Sequence, residues 1–116
     1  MSILLITHNL GIVGDIADRV AVMYAGQIVE SAPARELLSR PLHPYTQALM
    51  NSVPKLGGEA QRLTAIGGAV PMLGAFPSGC RFHPRCPKAR PECSRNVPQL
   101  IEVEPGRWVR CPFWGA

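Results

Sequence analysis

An unbroken apolar run, Ile3-Leu4-Leu5-Ile6, stops at Thr7-His8-Asn9 almost as soon as the chain begins. A run without polar alternation predicts a strand covered on both faces, as inside a parallel sheet. Open parallel sheets gather their ligand chemistry just beyond the carboxyl ends of such strands, and His8 falls at that point. Only Met1 and Ser2 precede the run in this sequence, too few to supply neighbouring strands. The expectation is therefore an α/β chain that forms the back end of a larger protein.

The chain has 116 residues, enough for one small domain or for the remnant of a bigger one. A length of this order buries only about 60–68% of the surface its unfolded form exposes, so the core is modest. An apolar content of 47% excludes general disorder, whereas 12 prolines and 11 glycines predict long irregular stretches. No apolar run approaches the ~20 residues of a membrane span. Met1-Ser2 carries no basic residue and the first apolar run is too short for a secretory signal, so the expected location is cytoplasmic.

The net charge of +4 is unevenly placed. Up to Pro77, Arg19, Arg35, Arg40, Lys55 and Arg62 balance Asp15, Asp18, Glu30, Glu36 and Glu59. From Ser78 onward, Arg81, Arg85, Lys88, Arg90, Arg95, Arg107 and Arg110 face only Glu92, Glu102 and Glu104. All four cysteines lie in the same tail, and this asymmetry separates two regions.

After the first run, Asn9 is a candidate N-cap for a helix over residues 10–17, with Leu10, Val13 and Ala17 on one face. Gly11 and Gly14 each weaken it by about 1 kcal/mol relative to alanine, so it needs packing to persist. Val20–Tyr24 and Gln27–Glu30 read as two strands joined by Ala25-Gly26 in a hairpin, the second with poor alternation. Pro33 opens a helix over 34–39 that Arg40-Pro41 ends, and a further helix runs from Pro44 to Ser52. A segment of uncertain type, Arg62–Ile66, lies between two Gly-Gly pairs. From Pro71 on there are eight prolines and no periodicity, which predicts an irregular tail.

Cys80, Cys86, Cys93 and Cys111 are spaced C-x5-C-x6-C-x17-C. A cytoplasmic chain keeps its thiols reduced, which disfavours disulfides, and four unrelated buried thiols would not cluster this way. A metal site is left. Zinc held by four cysteines usually shows paired C-x2-4-C knuckles, and none occurs here, whereas iron–sulfur clusters take four thiolates at less stereotyped spacing. Spacing alone keeps both open. His43 and His83 each precede a proline and read as satisfied loop histidines, although His83 lies between two cysteines. Tyr45 reads as a packing residue at a helix start.

Taken bare, Thr7-His8 is equally a histidine solvating the end of a strand. Its context is more specific. Leu4-Leu5-Ile6-Thr7-His8-Asn9-Leu10, Ala17-Asp18-Arg19-Val20-Ala21-Val22-Met23-Tyr24 and Gly26-Gln27-Ile28-Val29-Glu30 together resemble the end of an ABC transporter ATPase domain. The resemblance implies that His8 is the switch histidine of the H-loop, catalytic only in the complete domain, where it meets the γ-phosphate of ATP. An imidazole N–H suits that task, since phosphoryl transfer rests on positioning and on stabilising charge on the γ-phosphoryl oxygens.

His43-Pro44-Tyr45 and the tail Gly79-Cys80-Arg81-Phe82-His83-Pro84-Arg85-Cys86-Pro87, with Cys93, Pro98 and Val109-Arg110-Cys111, are similar to the C-terminal extension of the oligopeptide and dipeptide (peptide/nickel) importer ATPases. That resemblance implies that Cys80, Cys86, Cys93 and Cys111 ligate a 4Fe-4S cluster, with zinc as the alternative, in a structural role. The prolines stiffen the loops around it, and Arg81, Arg85, Arg90 and Arg110 are candidates to offset its negative charge. The resulting division is residues 1–31, the end of an ABC ATPase domain; 32–70, a helical connector; and 71–116, an irregular Cys-rich extension.

The parent implied is the ATP-binding subunit of an importer of oligopeptides, dipeptides or a related solute, peripheral on the inner face of the cell membrane. Its partners are permease subunits and a second ATPase subunit, in a homo- or heterodimer. The 116 residues contain no G-x-x-x-x-G-K-S/T, and the signature and Walker B motifs are missing as well. ATP and magnesium therefore belong to the full-length parent, and the chain alone is expected neither to bind ATP tightly nor to hydrolyse it. The rival class is a four-cysteine metal-binding module that engages nucleic acid or another partner, suggested by basic residues interleaved with Phe82, Trp108, Phe113 and Trp114. A bound site of charge about −2 would halve the tail's excess, so the expectation is no nucleic acid.

Overall fold

The computed structural model describes residues 3–7, 13–14, 16–51, 70–72 and 74–114. The foundation is a hairpin of β1 (Arg19–Tyr24) and β2 (Gln27–Pro33), paired antiparallel. Ala25 and Gly26 turn it with φ of +50° and +82°, the two positive values that a tight turn matching strand twist requires. Beyond the strand end expected at Glu30, Ser31 and Ala32 still pair with Ala21 and Val20.

A bulge explains why alternation in β2 was hard to read. Val22 faces Glu30 while Met23 faces Ile28, so Val29 is the extra residue. Such an insertion breaks the period of two, and consecutive Val29 and Glu30 are both buried. A carboxylate is thereby aimed into the interior.

The apolar run at the start does not form the expected buried strand. Residues 3–7 have no regular structure, and Ile3, Leu4 and Ile6 are 82%, 88% and 88% exposed. A strand needs neighbours to pair its backbone, and none of the described ladders includes this segment. The described sheet is antiparallel throughout, so the α/β class holds as a small mixed α and β fold.

Of the helix expected over 10–17, residues 13, 14 and 16 are helical, and Ala17 N–H donates to the Val13 carbonyl at 2.9 Å. Asn9, Leu10 and Gly11 lie outside the described residues, as does Arg62–Ile66. Helix α1 (Ala34–Ser39) follows Pro33, and α2 (Pro44–Asn51) begins on Pro44, both as expected from proline placement.

The tail is less irregular than its proline content suggests. It holds two 3-10 turns, His83–Arg85 and Pro91–Ser94, and two strands, β3 (Ile101–Glu104) and β4 (Arg107–Val109). The strands join the hairpin in the order β1-β2-β4-β3. Their brevity hid them, together with an arginine pointing inward where an apolar residue would be expected. Val20, Val22, Tyr24, Val29, Ala32, Ala34, Leu37 and Phe82 form the core with Val13.

One ion pair joins the parts. Glu30 and Arg107 are 0% and 1% exposed, with Arg107 Nη2 donating to Glu30 Oε2 at 3.2 Å. The same carboxylate accepts the amides of Leu42 (3.0 Å) and His43 (2.9 Å), just ahead of α2. Arg107 Nη2 also donates to the Arg40 carbonyl at 2.7 Å. A second pair, Arg40 with Glu104 at 2.7 Å, lies at the surface; hydrogen bonding to Arg40 holds the Glu104 carboxyl below its usual range.

Removing one partner of a buried pair leaves the other uncompensated, at about 3–5 kcal/mol. Glu30→Met strands Arg107 and two amides, whereas Arg107→Met leaves Glu30 with both amide donors. Urea denaturation should show both variants destabilised, Glu30→Met by about 1–3 kcal/mol more. Equal losses would mean that the amides contribute nothing.

Candidate metal centre

The four cysteines are unpaired and half-buried. Cys80 and Cys93 lie on adjacent stretches of backbone, where Cys80 N–H donates to the Cys93 carbonyl at 2.7 Å. Gly79 makes this approach possible. Its φ is +72°, and a Cβ there would stand 2.2 Å from the Cys93 carbonyl oxygen. Cys86 ends the first 3-10 turn, donating to the His83 carbonyl at 3.2 Å. Cys111 follows β4, whose last tie to β2 is Arg110 N–H to the Val29 carbonyl at 2.7 Å.

Backbone amides turn toward the sulfurs. Arg90 N–H donates to Cys93 Sγ at 3.3 Å. Amides of Phe82 and His83 favour the Cys80 thiolate, that of Lys88 favours Cys86, and that of Phe113 favours Cys111. Burial is nevertheless the largest influence and pushes the thiols of Cys80, Cys86 and Cys111 up. Mutual repulsion adds to it, with charge on Cys80, Cys86 and Cys93 raising Cys111 further. Among the described residues, no three His, Cys, Asp or Glu side chains are grouped closely enough to hold a single metal ion.

The His-Pro-Tyr segment supplies the support. Phe82, between Cys80 and Cys86, is buried against Tyr24 (ring centroids 5.1 Å apart), Tyr45 (5.3 Å) and His43 (5.9 Å). Tyr24 and Tyr45 lie 4.7 Å apart. Each such pair adds about 0.5–1.5 kcal/mol beyond burial. His43 is a satisfied histidine, and it is also a cap. Its Nδ1 accepts the Tyr45 amide at 3.0 Å at the start of α2, and its ring also hydrogen-bonds the Arg110 backbone. Burial lowers its pKa to about 4.

His83 Nδ1 donates to the Cys80 carbonyl at 2.7 Å, which fixes the loop. The arginines expected to offset the charge of the site turn elsewhere. Arg81 donates to the Ala25 carbonyl, Arg85 to Tyr24 Oη at 3.2 Å and Arg110 Nε to the Ile28 carbonyl at 2.8 Å. Arg90 lies 4.2 Å from the Phe113 ring centroid. Carbonyls and aromatic faces are better placed for these cations than the half-buried sulfurs. His8, the expected switch histidine, lies outside the described residues, so no geometry attaches to it.

Sequence comparison supplies the family. The pattern described as oligopeptide/dipeptide transporter, C-terminal region, matches residues 29–93, more than half of the chain. The chain belongs to this family. The matched span of the oligopeptide/dipeptide transporter C-terminal region holds Glu30, the His43-Pro44-Tyr45 segment and three of the four cysteines. The oligopeptide transport ATP-binding protein AppD of Bacillus subtilis is 54% identical over 110 residues, covering 95% of this chain and 34% of that protein. A putative peptide import ATP-binding protein of Brucella ovis is 47% identical over 120 residues, covering 98% and 36%. The chain thus spans about a third of the length of the curated relatives it matches. Among the described residues, no helix is long and apolar enough to cross a membrane.

Glu30 and Arg107 were the site-building residues that sequence reasoning missed. The one available signal was the charged residue ending Ile28-Val29-Glu30, in a strand with broken alternation.

Two outcomes check this geometry. Gly79→Ala should destabilise by at least about 2 kcal/mol and expose Cys80 to thiol reagents, since strain and a backbone clash combine. Gly74→Ala, at φ +86° with nothing within 4 Å, should cost only the strain. Because folding lowers the His43 pKa from 6.5 to about 4, the unfolded chain binds the extra proton between those values. Its contribution is complete above pH 6.5 and lost as pH falls toward 4, by at most about 3 kcal/mol. Denaturation midpoints at pH 7 and 5 should differ for the natural chain and converge for His43→Gln.

Proposed function

We propose that this chain is the C-terminal part of an ATP-binding subunit of an ABC importer of oligopeptides or dipeptides, and that Cys80, Cys86, Cys93 and Cys111 hold a 4Fe-4S cluster. The family and the roles named for the relatives support the first statement. One structural observation carries the second: between residues 74 and 106 the only buried residue is Phe82. A segment of that length with one anchored side chain needs another source of order. Four half-buried cysteines, each served by a backbone amide, suit thiolate ligands. The spacing C-x5-C-x6-C-x17-C lacks the paired C-x2-4-C knuckles usual for zinc, which favours a cluster.

When bound, the cluster supplies iron–sulfur bonds that fix the two loops and the end of β4. The chain's own residues do the rest. Phe82 seats the first loop on Tyr24 and Tyr45, Gly79 lets Cys80 approach Cys93, and Arg90 on Phe113 draws the last two ligands together. The three-part division stands with this reading: an ATPase end over 1–31, a connector over 32–70 and a cluster-binding extension over 71–116. In the complete subunit His8 is the switch histidine. Permease subunits and a second ATPase subunit are its partners on the cytoplasmic face of the membrane. ATP and magnesium are held by the rest of that subunit.

Anaerobic purification with iron, sulfide and zinc analysis tests the cluster. Brown protein with about four irons and four sulfides per chain, lost in Cys80→Ser, is the expected result. Colourless protein carrying one zinc would overturn it. The isolated chain should show no ATPase above background; a rate that survives removal of contaminants would sink the assignment of hydrolysis to the larger parent.

A further inference from the structure

Cys80 and Cys93, thirteen positions apart in sequence, meet through their backbones. Cys80 N–H donates to the Cys93 carbonyl at 2.7 Å, and two residues earlier Ser78 Oγ donates to the Ser94 carbonyl at 2.9 Å. The two stretches therefore run side by side, with Gly79 between the contacts and no room for a Cβ on it. Bond lengths on either side of the 2.7 Å contact hold the two Cα atoms within about 6.6 Å of each other, inside the range of about 4.4–6.8 Å that disulfides usually span. Among the described residues, these are the one pair of cysteines whose backbones bond to each other. Cys86 is tied instead to His83 and Ala89, and Cys111 follows Arg110, which is tied to Val29. Both partners are half-buried, and Arg90 N–H steadies Cys93 Sγ at 3.3 Å.

We infer that Cys80 and Cys93 form a reversible disulfide with each other when the chain meets a small-molecule disulfide as oxidant. One thiolate attacks the S–S bond of the oxidant and releases its first thiolate. The neighbouring thiolate then attacks the mixed disulfide, which forms the Cys80–Cys93 bond and releases the second. The chain gives up two protons and two electrons, and the oxidant leaves as two thiols. Loop closure alone would choose differently, because Cys80–Cys86 and Cys86–Cys93 enclose shorter loops and an unfolded chain favours those. Selection of the longer loop comes from the fold. The bridge leaves Cys86 and Cys111 as thiols, so the oxidised form is closed to any ligand that needs all four. In reducing compartments such pairs act as redox sensors rather than as permanent staples. The bridge needs only free thiols and does not depend on the cluster reading above.

Trypsin makes the pairing readable. Cleavage after Arg62, Arg81, Arg85, Lys88, Arg95 and Arg110 places the four cysteines on separate peptides, 63–81, 86–88, 89–95 and 111–116. The full 116-residue chain, freed of metal by chelator and reduced, is exposed to oxidised glutathione, alkylated, digested and analysed by mass spectrometry. Peptide 63–81 joined to 89–95 should be at least about tenfold more abundant than any other pairing. Two thiols should remain open to alkylation, and dithiothreitol should restore all four. The same oxidation in urea should abolish that preference in favour of the shorter loops. A native pairing that matches the urea pattern overturns the inference, as does glutathione left on both Cys80 and Cys93, or survival of four thiols. Iron and sulfide analysis of the untreated chain decides the cluster separately. A brown chain that fails to bridge loses this inference alone, and a chain without iron that bridges as expected keeps it.

Discussion

A carboxylate sealed from water must be met by donors, and the donors that meet Glu30 come from separate parts of the chain. Arg107 arrives from β4, and the amides of Leu42 and His43 come from the turn into α2. Those three donors place the His-Pro-Tyr segment and the tail strand against the same hairpin. Arg107 in turn holds the Arg40 carbonyl, while its Nε and Nη1 stand 3.9 and 3.8 Å from Glu36 and Glu104, too far for hydrogen bonds. A cation left partly unsatisfied is a poor source of net stability and a strong source of register, because no shifted pairing of β2 and β4 would meet it as well.

From that junction the route to the cysteines is short. His43 follows directly, its amide on Glu30 and its ring against Phe82, and Phe82 sits between Cys80 and Cys86. Charge, aromatic packing and thiols are consecutive layers rather than separate features. This accounts for a motif as plain as His-Pro-Tyr: histidine caps α2, proline starts it with the φ a first turn needs, and tyrosine packs on Tyr24 and Phe82.

Much of this order was legible in the residues. The hairpin, its turn and both helices follow from strand formers, Ala-Gly and proline placement, all of which act over a few residues. What escaped acts over distance. β4 is three residues long with an arginine facing in, and only its partner sixty and more residues earlier makes that sensible. The run at residues 3–6 failed for the opposite reason: its composition is that of a covered strand, but composition cannot supply the neighbours that would cover it. For the site, the cysteines and His43-Pro44-Tyr45 were visible as residue types, and the chemistry of the tail arginines was misjudged because proximity in sequence to a thiol suggested proximity in space. His8 lies outside the described residues and tests neither view.

The arginines are the instructive case. A residue next to one of these cysteines has its side chain directed by the turn that presents both, and in a tight loop neighbouring side chains diverge. Cys80 and Cys86 pack against the core, while Arg81 reaches the Ala25 carbonyl and Arg85 the Tyr24 hydroxyl and ring. Arg110, just after β4, likewise donates through Nε to the Ile28 carbonyl. A cysteine framework with flanking arginines thus also grips whatever lies next to it. In this chain the neighbour is a hairpin built on the same buried carboxylate that positions the tail, so the framework and its support share one foundation.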